Sequence, residues 1–210
     1  MLLYLLLLLP GALATYCILE RDKKILLPAA LSAFLAIIIC ACRFFFSYEH
    51  RLVYDSFSDN FFYFLLKQNF LPLVIISTLL ALFSRDTAEF KIKQFFPSLC
   101  AFYAIYLPYC VITASDYYFN AYDLFLKPLI YLAMLVQISI FLKHGWQAFK
   151  DKKIAFMVID ILIILVYAIY PAVSDALYAI DQAFAVILIA GLIYSLIPAV
   201  LLVFSCHSRA

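Results

Sequence analysis

Long apolar stretches decide the fold, and the clearest covers residues 154–173, which read IAFMVIDILIILVYAIYPAV. Asp160 is the only charged residue in this stretch. About 20 apolar residues in a helix cross the roughly 30 Å hydrocarbon core of a bilayer. The whole chain is similar, since 68% of its 210 residues are hydrophobic and 13% are charged. Soluble domains have about half apolar and about a quarter charged residues, so the sequence predicts an all-α integral membrane protein.

Hydropathy predicts a bundle of about seven transmembrane helices in a single polytopic domain that covers residues 1–210. The predicted helices are approximately residues 2–19, 25–46, 61–83, 95–114, 122–142, 154–173 and 182–205. We interpret the first as an uncleaved anchor. The alternative is a signal peptide with a cleavage site near Ala12-Leu13-Ala14. Cleavage there would place the later basic loops on the outside, which disfavours it.

The lysines and arginines are shared unevenly between the two sides of this bundle. Of the fifteen, those on the less basic side are Arg43, Arg51, Lys67 and Lys127. Basic loops stay on the cytoplasmic side, so we predict an outside N-terminus and a cytoplasmic C-terminus in the cell inner membrane. The basic loops are expected to contact anionic headgroups of the lipid bilayer, and they do not indicate nucleic-acid binding. Loops 84–94 and 143–153 are the predicted docking places for other membrane subunits or a cytoplasmic partner.

Charged and amide side chains within the predicted helices are the candidate ligand or ion site, because such groups are costly in hydrocarbon. The candidates are Lys67, Gln68, Asn69, Lys127, Gln137 and Asp160. Lys67 lies six residues into its predicted helix, so its side chain can snorkel to the headgroups. Alternatively, Lys67 and the two amide residues that follow it face inward and form a polar site for an anion or a carboxylate. Lys127, with Asp59 or Asp123, completes that site.

Asp160 lies ~9 Å inside its predicted helix, and its short side chain cannot snorkel. It is expected to pair with Lys153, two turns earlier, or to be a neutral carboxyl hydrogen-bonded to a neighbouring helix. A cation or proton site is the alternative. Gln137 is expected to form an interhelical hydrogen bond, or to bridge the depths of Lys67 and Asp160.

Small residues and prolines predict how the helices pack. Gly191, Ser195 and Ala199 form a stripe at four-residue spacing, which indicates close packing within the bundle or a subunit interface. Prolines inside the helices free carbonyl groups, which then need donors on neighbouring helices or in a water-filled cavity.

Tyrosines lie near the predicted outer ends of the helices, Tyr63, Tyr109 and Tyr122 among them. They are expected to form an interfacial belt, and an aromatic cage for a ligand is the alternative. Ser174-Asp175 is expected to form an outer turn.

No catalytic motif is present in the sequence. It has no H-E-x-x-H, no G-x-S-x-G and no cysteine pair at metal-ligand spacing, which predicts no metal and no cofactor and disfavours an enzyme without excluding one. The leading hypothesis is a transport protein, either a small carrier or the membrane subunit of a transport complex. The alternatives are a non-catalytic scaffold or assembly subunit, and a lipid-modifying enzyme that uses His50, Glu49 and Asp55.

Overall fold

The computed structural model describes residues 26–46, 56–83, 88–114, 121–180 and 184–207, and almost all of them are helical. Within these residues, six helices run alternately up and down. They are α1 (Leu26–Phe46), α2 (Phe57–Tyr63, a π segment Phe64–Phe70, and Leu71–Phe83), α3 (Ala88–Ala114), α4 (a π segment Tyr122–Leu126 and Lys127–Lys150), α5 (Ile154–Ala179) and α6 (Phe184–His207). We call the end of the bundle where α1 finishes and α2 begins the upper end, and the opposite end the lower end. The predicted helix at residues 2–19 lies outside the described residues.

Five helical stretches are long and apolar enough to cross a membrane. They are Leu26–Phe45, Phe57–Leu80, Ile92–Thr113, Tyr122–Lys150 and Ile154–Ala179. Within α6, the apolar stretch Phe184–Pro198 is shorter. The described part of the chain contains helices and no strand, which confirms the all-helical class for those residues. These apolar helices support a location in a membrane.

The core of the bundle lies around α3 and α4. α3 packs against α1, α2 and α4, and α4 packs also against α5 and α6. Most of the largest fully buried side chains lie on these two central helices, Tyr103, Tyr106 and Tyr131 among them, and Ile76 lies on α2. In the apolar stretch of α3, 78% of the residues are buried inside the protein, whereas in the apolar stretch of α5 only 17% are. The exposed face of α5 is rich in isoleucine, leucine and valine, so in a bilayer it faces lipid.

The helices extend beyond several of their predicted ends. α3 begins at Ala88, so the predicted loop 84–94 is helical from residue 88, and residues 84–87 lie outside the described residues. α5 continues to Ala179, past the predicted end at residue 173. The predicted loop 143–153 is wrong over most of its length, because α4 continues to Lys150.

A tight turn joins α4 to α5 at the lower end. The Lys153 N–H donates to the Ala148 carbonyl at 2.8 Å, and the Lys152 N–H donates to the Phe149 carbonyl at 3.1 Å. Lys152 has a φ of 58°, which completes a Schellman motif with a residue in the left-handed conformation. The turn is only three residues long, 151–153, so the charged residues just before it belong to helix α4.

Candidate functional site

Two π segments lie at corresponding places in the upper halves of α2 and α4. Phe64–Phe70 and Tyr122–Leu126 each end two residues before a proline, Pro72 or Pro128. In a π segment each N–H bonds to the carbonyl five residues earlier. Because proline has no N–H, the carbonyl five residues before it receives no backbone hydrogen bond. In α2 this is the carbonyl of Lys67.

Tyrosines of α3 donate hydrogen bonds to backbone carbonyls in the π segment of α2. The Tyr106 hydroxyl donates to the Lys67 carbonyl at 2.8 Å, and the Tyr103 hydroxyl donates to the Gln68 carbonyl at 2.8 Å. Both tyrosines are almost completely buried. An unsatisfied carbonyl in hydrocarbon is costly, so these two hydroxyls stabilise the π segment. They are the donors on a neighbouring helix that the proline in α2 was expected to require.

The proline inside α5 has the same consequence. Pro171 cannot donate to the Tyr167 carbonyl four residues earlier, and the Tyr194 hydroxyl of α6 donates to that carbonyl at 2.9 Å. The Asn69 side-chain amide donates to the next carbonyl, that of Ala168, at 2.8 Å. The α2 polar segment is therefore tied directly to the irregular part of α5.

A buried ion pair joins α4 and α5 beside these irregular segments. Lys127 Nζ lies 3.0 Å from Asp175 Oδ1, and the two side chains are 7% and 1% exposed. The Tyr122 hydroxyl donates to Asp175 Oδ1 at 2.7 Å, and the Tyr131 hydroxyl lies 3.0 Å from Oδ2. The carboxylate is thus surrounded by three donors from α4, and the pair is neutral as a whole.

The hydroxyl of Tyr131 connects the ion pair to the amides of α2. Its oxygen lies 2.9 Å from Asn69 Oδ1 and 3.2 Å from Gln68 Oε1, as well as close to Asp175. A hydroxyl has one proton, so it donates to one of these three oxygens at a time. Rotation of the Gln68 amide would turn its NH₂ group toward the tyrosine oxygen. Alternative hydrogen-bond arrangements around the ion pair therefore need no movement of a helix.

The surroundings of the pair are aromatic. Lys127 Nζ lies 5.5 Å from the ring centroid of Phe64 and 6.0 Å from that of Tyr131. In such a low-dielectric environment each charge needs the other, since an isolated buried charge is strongly destabilising. The chemistry available here is an exchange of partners, in which the ammonium group accepts another carboxylate or the Asp175 carboxylate accepts a proton.

Lys67 does not join this site. Gln68 and Asn69 are buried, whereas Lys67 is exposed and its Nζ lies 4.8 Å from the ring centroid of Tyr63. The structure therefore brings the two amides, and not the neighbouring lysine, to the site that contains Lys127.

Asp160 is buried near the lower end and pairs with His144. The distance between His144 Nδ1 and Asp160 Oδ2 is 2.8 Å, and the side chains are 61% and 5% exposed. The predicted pairing with Lys153 is wrong, because Lys153 lies 3.8 Å from Asp151 instead. α4 continues past its predicted end and brings His144 to face α5. A Cβ at Gly145 would lie 3.3 Å from the Asp160 Cβ, so the glycine allows this close approach.

Gln137 is buried in the middle of α4, 2% exposed. Its Oε1 atom has no hydrogen-bond partner among the described residues. An interhelical hydrogen bond through this oxygen, which would match the prediction for Gln137, is therefore not formed with any described residue.

The predicted small-residue stripe of α6 lies partly against α4. A Cβ at Gly191 would lie 3.0 Å from Leu126 Cδ1 and 3.1 Å from Ile130 Cδ1. Ser195 Oγ donates to the Gly191 carbonyl of its own helix at 2.8 Å. The side chain of Ala199 lies outside the described residues. At Gly191, the small-residue stripe therefore packs against α4 of the same chain.

Sequence reasoning missed Asp175 and the roles of Tyr122 and Tyr131. Hydropathy predicts that the helix ends at residue 173, and it therefore places Asp175 in an outer turn. One signal was available in the spacing of Ala168, Ala172 and Ala176, which are fully or almost fully buried. This four-residue repeat marks a packed helix face that continues through residue 175.

His50, Glu49 and Asp55, the residues considered for a lipid-modifying enzyme, lie outside the described residues. No protein-family model, curated protein or solved structure matches the chain. Its class is therefore defined by the fold and the site: an all-helical protein with helices apolar enough to cross a membrane, and a buried lysine–aspartate pair between two of them.

Proposed function

We propose that this chain is a membrane transport protein and that Lys127 and Asp175, with Gln68 and Asn69, form its working site. The observation that supports this most strongly is a buried ion pair between two helices, bordered by a π segment on each of α2 and α4. Ionisable residues within membrane helices commonly mark substrate, ion or proton pathways, and π segments occur frequently at functional sites.

Stability alone gives little reason for such a pair. A buried ion pair can often be replaced by apolar residues of similar volume without loss of stability, because removal of both charges from water costs so much. The surrounding rings of Phe64 and Tyr131 offer a site where apolar side chains would pack. A role in solute or proton handling accounts for the two charges better than a role in packing does.

The proposed working step is an exchange of carboxylates on Lys127. The carboxylate of a small organic acid binds the Lys127 ammonium group, and Asp175 loses its ionic partner. Asp175 then takes up a proton, so that the site remains neutral. The Tyr131 hydroxyl and the Gln68 amide rearrange their hydrogen bonds around the protonated group. The solute and the proton therefore move together.

The membrane arrangement is part of the proposal. From the distribution of lysine and arginine we place the chain in the cell inner membrane, as a bundle of about seven helices with the N-terminus outside and the C-terminus in the cytoplasm. In this orientation the Lys127–Asp175 pair lies in the half of the bundle that is nearer the outside. The alternative function, a scaffold subunit, is less supported, because Gly191 on its predicted partner face already contacts α4.

A proton-uptake assay tests the proposal. The purified protein is reconstituted into liposomes that contain a pH-sensitive dye, and succinate, citrate or glutamate is added outside at mildly acidic pH. We expect the lumen to acidify faster than in protein-free liposomes with at least one of these acids, and Lys127→Met to abolish the difference. Lys152→Asn is the control, since it removes an exposed charge in the lower turn. Equal acidification by wild type and Lys127→Met would contradict the proposal.

A further inference from the structure

We infer that Arg43, Lys67 and the hydroxyl of Tyr109 form a second site, at the upper end of the bundle, that binds an anionic phosphate or carboxylate group. The site is distinct from the Lys127–Asp175 pair, and it does not depend on the proposed transport function. Two cations and an unused hydroxyl donor lie on three adjacent helices, α1, α2 and α3.

Arg43 is held by neutral groups only. Its guanidinium donates to the Tyr106 hydroxyl at 2.8 Å, to the Tyr63 hydroxyl at 3.2 Å and to Cys110 Sγ at 3.5 Å. No carboxylate of the described residues lies within ion-pair distance of it. These contacts fix the position of the guanidinium and provide no counter-charge for it within the described part of the chain.

Lys67 places a second positive charge next to Tyr63, which also contacts Arg43. Its Nζ lies 4.8 Å from the ring centroid of Tyr63, whose hydroxyl accepts a hydrogen bond from Arg43. Within the described part of the chain, Lys67 likewise has no carboxylate partner. Two like charges gathered around one ring repel each other, and an anion between them would remove this repulsion.

Tyr109 supplies a third group. The Arg43 guanidinium lies 5.8 Å from the Tyr109 ring centroid, and the Tyr109 hydroxyl is buried with no hydrogen-bond partner among the described residues. A buried hydroxyl without a partner is unfavourable. An anion bound at Arg43 would accept its proton and satisfy it. Guanidinium, ammonium and hydroxyl groups together match the oxygens of a phosphate or carboxylate.

Two sources offer this chemistry. Arg43 lies in the last turn of α1, a helix that is apolar enough to cross a membrane. The end of such a helix lies at the depth of the lipid headgroups. An anionic phospholipid would reach the site from the bilayer, and a small soluble anion would reach it from the aqueous side. Both would use the same three groups.

The test is a thermal-unfolding titration of the full chain in neutral detergent. One arm adds short-chain phosphatidylglycerol, with phosphatidylcholine as its neutral counterpart. The other arm adds sodium phosphate or sodium succinate, with sodium chloride at the same ionic strength. We expect saturable stabilisation in at least one arm. Lys67→Gln or Arg43→Gln should weaken the apparent Kd by about tenfold or more, since each removes one charge-assisted hydrogen bond.

Controls separate a specific site from general attraction. Lys152→Asn removes a charge at the lower end and should leave the titration unchanged. Stabilisation by phosphatidylglycerol alone assigns the site to a lipid headgroup, and stabilisation by phosphate or succinate assigns it to a soluble anion. No saturable effect in either arm, or equal effects in wild type and Lys67→Gln, would overturn the inference. Lys67 is exposed, so its variant remains informative if Arg43→Gln does not fold. The titration measures binding and is independent of the proton-uptake result.

Discussion

Asp175 and Asp160 lie on the same helix and are equally buried, 2% and 3% exposed, yet their surroundings differ completely. Asp175, toward the upper end of α5, is enclosed by Lys127 and two tyrosines that are themselves buried. Asp160, near the lower end, has one partner, His144, whose side chain is 61% exposed. The difference shows that burial of a carboxylate does not by itself define its role. The role of a buried carboxylate depends on whether water can reach its partner and take the place of the carboxylate there.

Removal of one member of the upper pair has the largest expected effect on stability. Asp175→Asn leaves the buried Lys127 ammonium group without the carboxylate that lies 3.0 Å from it. We expect the free energy of unfolding to fall by about 3 to 5 kcal/mol. Reversible unfolding in bicelles measures this, with Lys152→Asn as the control that should stay at the wild-type value. An Asp175→Asn protein as stable as wild type would show that the pair is not enclosed as the structure places it.

Removal of a single hydroxyl next to the pair has an intermediate effect. Tyr103→Phe leaves the Gln68 carbonyl without its tyrosine donor, and we expect a loss of about 1 kcal/mol. Tyr109→Phe is a matched control on the same helix, since its hydroxyl has no hydrogen-bond partner among the described residues. In buffer free of binding anions, it should keep stability at the wild-type value or raise it slightly, since it removes no hydrogen bond to a described residue. Equal effects of the two variants would contradict the role given to the Tyr103 hydroxyl.

At the lower end the smallest effect is expected. Asp160→Asn keeps an acceptor for His144, and water can reach the exposed imidazole. We expect a change of about 0 to 1 kcal/mol in the free energy of unfolding. The same unfolding assay compares this variant directly with Asp175→Asn. If both variants lost the same stability, access of water would not distinguish the two carboxylates.

These two carboxylates also show how far the sequence predicts the structure. The apolar runs predict the helices well, because length and hydropathy determine which segments can cross a bilayer. They predict helix ends less well, since a polar or charged residue near the end of an apolar run is compatible with either a loop or a further turn of helix. Asp160 was recognised because apolar residues surround it. Asp175 was missed because it follows Ser174 at an apparent end.

The partners of the candidate residues were the hardest part to predict. Lys127, Gln68 and Asn69 were singled out from their cost in hydrocarbon. Their connection through Tyr131 depends on which faces of α2, α4 and α5 meet. That geometry follows from the π segments, which shift the faces of α2 and α4 by a fraction of a turn. Hydropathy contains no signal for such a shift.

The most direct test of the account compares stability and proton uptake in the double variant Lys127→Met/Asp175→Asn. This variant removes both charges and keeps an acceptor for Tyr122 and Tyr131. We predict a free energy of unfolding within about 1 kcal/mol of wild type, since both charges of the pair are removed together, and complete loss of carboxylate-dependent proton uptake. A stable double variant that still acidifies the lumen at the wild-type rate would contradict the central claim that the buried pair is the working site.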